Sequence, residues 1–225
     1  MRRFVRENSL ALVFLLFFLL ALAGQAFAGW HDFNDQATAH HEPTISLGRY
    51  LTSSSYGNAV LENWQSEYLQ FTLYILLTVW FVQRGSPESK ELGKQGGESD
   101  EDQLIGEHAK PDSPRWARLG GWRTRLYSNS LVLLMSTIWA LSWLGQSFTG
   151  WSDFNSEQLT HHEHTVNWLG YLGTADFWQA TLQNWQSEFL AVGSMAVFSI
   201  YLRQRGSPES KPVGARHDLT GVEGG

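Results

Sequence analysis

The sequence predicts an all-α membrane protein: four transmembrane helices, set as two tandem parallel-related helical hairpins with short outer-face loop helices. Three observations predict it. Apolar residues, 43% of 225, gather in long runs separated by polar loops, whereas a soluble chain spreads them around one core. A constant offset of 121 aligns residues 8–90 with 129–211 without a gap, and 35 of those 83 positions are identical, the mark of a tandem duplication. Finally, Asn63-Trp64-Gln65-Ser66-Glu67-Tyr68-Leu69 returns as Asn184-Trp185-Gln186-Ser187-Glu188-Phe189-Leu190. Each copy is a polar, carboxylate-bearing turn running into an apolar stretch, as expected where water meets lipid.

The first hairpin repeat occupies residues 1–90, with spans at about 10–28 and 60–83. Its opening, basic and then apolar with Ala26-Phe27-Ala28 at the end, has the outline of a secretory signal. Its repeat partner, Asn129 to Trp151, is internal, so the segment is expected to be a retained helix. Leu10 to Ala28 is long enough to cross about 30 Å of hydrocarbon at about 1.5 Å per residue. The following loop should carry short helices capped at Asp32 and Ser46, broken by Pro43, with Asp153 and Asn167 in the matching places. The second helix starts near Ser54 and stops at Gly85 and Pro87, in the usual Gly-then-Pro order.

Residues 91–114 are Gly-rich and acidic and read as a flexible cytoplasmic linker, with too little apolar surface to offset the entropy of ordering. The second hairpin repeat, 115–211, begins with RWARLGGWRTRLY, an interfacial basic segment along the headgroups. Its spans fall at about 130–148 and 182–204. Residues 212–225 read as a disordered tail.

Charge sets the orientation. Every Lys and Arg except Arg49 lies at 2–6, at 84–125 in and beside the linker, or at 203–216 toward the carboxy terminus, which places both termini and the linker in the cytoplasm and the NWQSE loops outside. Because each repeat crosses twice, the copies share one orientation, unlike inverted-repeat transporters. The chain has no cysteine, which excludes disulfides, thiolate catalysis and Cys-based metal sites. A net charge of -6 argues against a nucleic-acid partner.

The RRF-RENSL start, the G-Q-x-F-x-G turn, H-x-E in the outer loop, NWQSE and the closing QRGSPESK together resemble a bacterial membrane-protein family catalogued only as a domain of unknown function. The likeness covers nearly the whole chain outside the linker. It implies duplicated helical hairpins in a bacterial inner (plasma) membrane and transfers no catalytic residue.

Glu67 and Glu188 form the candidate ion or proton site, with Asn63 and Asn184 one turn earlier on the same faces. A carboxylate in a span is costly and normally has a partner, a polar cavity or a route to water; near the outer helix end, solvation alone is the simpler reading. The loop residues His40, His41, Glu42, His161, His162, Glu163 and His164 suit zinc by type. Their spacing suits it poorly, because adjacent helical residues point about 100 degrees apart; polar loop histidines, or a pH-responsive loop, explain them as well. Trp30, Trp64, Trp116, Trp122, Trp151 and Trp185 are expected to anchor helix ends at the interface. The doubled SPESK reads as a helix stop with a solvated flank.

No catalytic residue and no cofactor is expected, and the chain is expected not to be an enzyme. A structural or interaction role in the envelope comes first. The alternatives are a small transporter or cation- or proton-handling protein using the paired Glu, and an outer-face metal-binding module. The partner is the lipid bilayer, with a homo-oligomer or another membrane protein compatible.

Overall fold

The structure is a computed structural model and describes residues 2–222. Among the described residues it is all-helical, with nine α-helices, one 3₁₀ turn at Gly106–His108 and no strand. In chain order the helices are α1 (Arg2–Glu7), α2 (Ser9–Ala39), α3 (Leu47–Tyr50), α4 (Ser54–Trp80), α5 (Arg115–Leu119), α6 (Gly121–Ser128), α7 (Ser130–Thr160), α8 (Trp168–Tyr171) and α9 (Ala175–Tyr201). The bounds of α2, α3 and α4 recur in α7, α8 and α9 at the 121-residue offset.

Two helices, α2 and α7, are long and apolar enough to cross a membrane. Along α2 every side chain from Val13 to Leu20 is at least 42% exposed, so this apolar surface is left uncovered by the chain's own folding. Helices α4 and α9 are 27 residues each, about 40 Å at 1.5 Å per residue, but are diluted by the polar NWQSE turn and by Ser, Thr and Gln.

Helices α2 and α7 run eleven and twelve residues past the expected ends of their spans, Ala28 and Phe148. The helix expected to start at Asp32 is therefore not separate. Asp32 lies inside α2, where its carboxylate accepts from Gln36 Nε2 at 2.9 Å, an i,i+4 pair that continues the helix. The cap at Ser46 does form, its hydroxyl accepting from the Arg49 N–H at 3.4 Å. Asn167 directly precedes α8.

The chain folds as two compact units. The first comprises Met1–Val60 and Gln146–Trp168. Within it each long helix grips its own following loop: Trp30 Nε1 and Asn34 Nδ2 donate to the Ile45 carbonyl at 2.7 and 3.0 Å. Trp151 and Asn155 do the same to Val166 at 2.7 and 2.9 Å. Tyr50 is buried beside Phe33 and Tyr56, and Gly29 leaves room for its hydroxyl.

The second unit comprises Leu61–Gly145 and Leu169–Gly225. Its aromatic residues cluster, Trp143 lying within 6.3 Å of Trp139, Phe177, Trp178 and Trp185, ring centre to ring centre. The two SPESK segments fold back alike: Ser89 Oγ accepts from Gln83 N, and Ser210 Oγ from Gln204 N, both at 2.9 Å. Lys211 is buried rather than solvated, and its Nζ donates to the carbonyls of Gly85 at 2.6 Å, His217 at 2.9 Å and Leu219 at 3.2 Å. Burial, with Arg203 adding to it and Asp218 opposing, pushes this ammonium below the ordinary lysine pKa. Gly85 N donates to Thr220 Oγ1, and Gly221 N to the Ser86 carbonyl, so residues 217–221 are tied to the turn after α4.

The segment from Arg115 is two short helices broken at Gly120, whose φ of 68° is the left-handed conformation that glycine adopts without strain. Trp116 and Trp122 are exposed, with ring centres 6.5 Å apart.

Candidate functional site

The NWQSE segments meet inside the second unit. Trp185 Nε1 donates to Gln65 Oε1 at 2.8 Å, and Gln65 is fully buried. One residue on, the Ser66 side chain and the Glu67 charge both lie near enough to act on the Glu188 carboxylate. Helices α4 and α9 therefore present identical motifs in different rotations. On α4 the buried face carries Gln65, Ser66, Leu69 and Thr72, while Asn63 and Glu67 are exposed. On α9 Asn184, Trp185 and Glu188 are half-buried, while Gln186 and Ser187 are exposed.

The Asn residues are placed by their own helices. Asn184 Nδ2 donates to the Ala180 carbonyl at 2.9 Å, and the Asn63 carbonyl accepts from Ser66 Oγ at 2.9 Å. Of the four residues read as a site, Glu67 and Glu188 are brought into one electrostatic neighbourhood. Ser66 and Gln65 complete the arrangement. Sequence reading missed both as functional groups, although they stand inside the repeated motif, because the duplication gives no sign of which copy turns its Gln and Ser inward.

The loop histidines stand at helix ends. His41 and His162 have φ of 60° and 59°, and each sits one residue past a helix C-cap. Glu42 N donates to the Ala37 carbonyl and Glu163 N to Gln158, both at 2.7 Å, while His41 N and His162 N reach Thr38 and Leu159 at 3.1 Å. That is the Schellman pattern, in which glycine usually takes the left-handed position. The His40 and His161 rings stand edge to face with centres 6.0 Å apart, and Thr160 Oγ1 donates to Glu42 at 3.2 Å. His162, Glu163 and His164 are exposed. Among the described residues no group of three or more His, Asp or Glu side chains is gathered to hold a metal ion. Close by in the same unit, Ser55 donates to the Asp153 carboxylate. Burial raises the Tyr50 hydroxyl above its ordinary pKa, and Tyr56, Asp153 and Asp32 add to the effect.

The tryptophans read as anchors divide by what they hold. Trp30 and Trp151 bind loop carbonyls, and Trp185 binds Gln65. Trp64, Trp116 and Trp122 are exposed at 37%, 41% and 66%, and the Arg123 guanidinium lies 5.4 Å from the Trp122 ring centre.

A protein-family model described as "Domain of unknown function (DUF6766)" matches residues 1–222. No curated protein and no solved structure matches the chain.

Proposed function

The chain belongs to the DUF6766 family, and from that premise we propose a non-enzymatic, proton-handling protein of a bacterial inner membrane. Glu188 binds and releases the proton, and Glu67 sets the local charge. The observation that carries this reading is the meeting of the two NWQSE turns, where Trp185 Nε1 donates to the buried Gln65 and Glu67 and Glu188 share one electrostatic neighbourhood. A carboxylate on an apolar helix persists where something polar holds it, and a proton needs fewer oxygen ligands than a metal cation, which takes about six.

In this reading all four long helices cross the bilayer as two tandem hairpins. About 40 Å of α4 and of α9 exceeds the roughly 30 Å of hydrocarbon, leaving the NWQSE turn near the outer face. Exposed Leu76, Leu77 and Trp80 on α4, and Leu190, Val197 and Phe198 on α9, then face lipid. The 121-residue repeat in sequence and in helix bounds supports duplication, and the Lys and Arg distribution supports cytoplasmic termini.

Infrared difference spectroscopy on lipid-reconstituted protein tests the site. A pH step should reveal a carboxyl band that Glu188→Gln abolishes and whose midpoint Glu67→Gln displaces, because the neighbouring charge is lost. A spectrum unchanged in both variants would refute proton binding at Glu188. A second reading, an interaction role in the membrane, is favoured by the uncovered Val13–Leu20 stretch of α2, which another membrane helix would bury.

A further inference from the structure

The second unit contains a cavity of about 300 Å³ that the site above does not use. Three positions of α4, Gln70, Phe71 and Tyr74, line it together with Ala191, Val192 and Met195 of α9. These are the same three positions in the two repeats, 121 residues apart. The repeats have diverged there so that one wall keeps an amide and a phenol, while the other is small or apolar. Glu88, from the first SPESK turn, completes the lining, and the Tyr74 hydroxyl donates to its carboxylate.

The spacing along α4 places these groups in sequence. Ser66, Gln70 and Tyr74 follow at intervals of four, and side chains four apart stack along one helix face. Glu188, three and four residues before Ala191 and Val192, shares the cavity-lining face of α9 and stands near Ser66 at one end, and Tyr74 reaches Glu88 about 12 Å further along the axis of α4, at 1.5 Å per residue. The cavity lies between the two ends and is roomy enough for several waters, each needing about 30 Å³, with polar partners to hold them. Hydroxyls suit such a path because each can accept one proton while donating another.

We propose that Glu88 is the inner proton station of a path that starts at Glu188 and runs through the cavity between α4 and α9. The step is proton transfer alone. Glu188 gives its proton to cavity water, which passes one on by way of the Tyr74 hydroxyl to the Glu88 carboxylate; Glu88 releases it on the inner side and Glu188 takes up a proton from the outer side, so one positive charge crosses and nothing is oxidised or reduced. The proposal rests on the reading of Glu188 as a proton-binding group and extends it from binding to transfer.

The test is proton flux into proteoliposomes under an imposed potential, followed with an internal pH dye against protein-free vesicles. Wild type should acidify the lumen. Glu88→Gln should slow it at least tenfold and Tyr74→Phe several-fold, while Glu88→Asp keeps part of the rate and all variants stay monodisperse. A folded Glu88→Gln variant carrying protons at the wild-type rate would overturn the inner station. If that variant does not fold, wild-type rates in Tyr74→Phe would overturn it instead. Wild-type vesicles no faster than protein-free ones would overturn the path, while the carboxyl band of Glu188 would still decide separately whether that residue binds a proton.

Discussion

Two glutamates that are interchangeable on paper occupy different surroundings once folded. Glu188 is half-buried, and Glu67 is exposed. Tyr50 makes the same point in the outer loop, where burial and the neighbouring Tyr56, Asp153 and Asp32 raise its hydroxyl pKa. Because the folded value is raised, the stability that Tyr50 contributes is complete below the ordinary tyrosine value of about 10 and is lost as pH rises through the folded value. Wild type should therefore lose stability above about pH 10 more steeply than Tyr50→Phe. Parallel declines in a thermal-unfolding series across that range would contradict the assignment. No sequence signal singled out Tyr50, because its burial depends on Phe33, Tyr56 and the space at Gly29, none adjacent in the chain.

Among the elements, helix starts were more legible than helix ends. The expected starts near Ser54 and 130 agree with α4 and α7, because a polar residue before an apolar run is a local signal. The ends of α2 and α7 depend on a grip that spans eleven to fifteen residues, Trp30 and Asn34 on Ile45 and Trp151 and Asn155 on Val166. Hydropathy ends at Ala28, whereas the helix ends where its C-cap forms. The histidines after those helices look like ligands in sequence, yet His41 and His162 hold the left-handed position of a C-cap. A side chain there costs about 1–2 kcal/mol in general, and His tolerates it better than most. His41→Gly and His162→Gly should each stabilise the fold by about 0.5–1 kcal/mol. A lower melting temperature in either would mean that the imidazoles make contacts worth more than the strain.

At the scale of the whole molecule, all-helical architecture and membership of the DUF6766 family agree with the sequence reading. Two helices are apolar enough to cross a membrane on composition; the other two combine NWQSE with shorter apolar runs, so the proposal that they cross rests on length and on the repeat rather than on hydropathy. The proton-handling proposal needs all four. The chain contains no cysteine, so single cysteines at His40, Asp100, His161 and Val213 report their side of the membrane without background. Labelling intact cells with a membrane-impermeant maleimide should modify positions 40 and 161 directly, and positions 100 and 213 only after the membrane is opened. Labelling of position 100 from outside, or of 40 and 161 from opposite sides, would contradict the four-span arrangement on which the site at Glu188 depends.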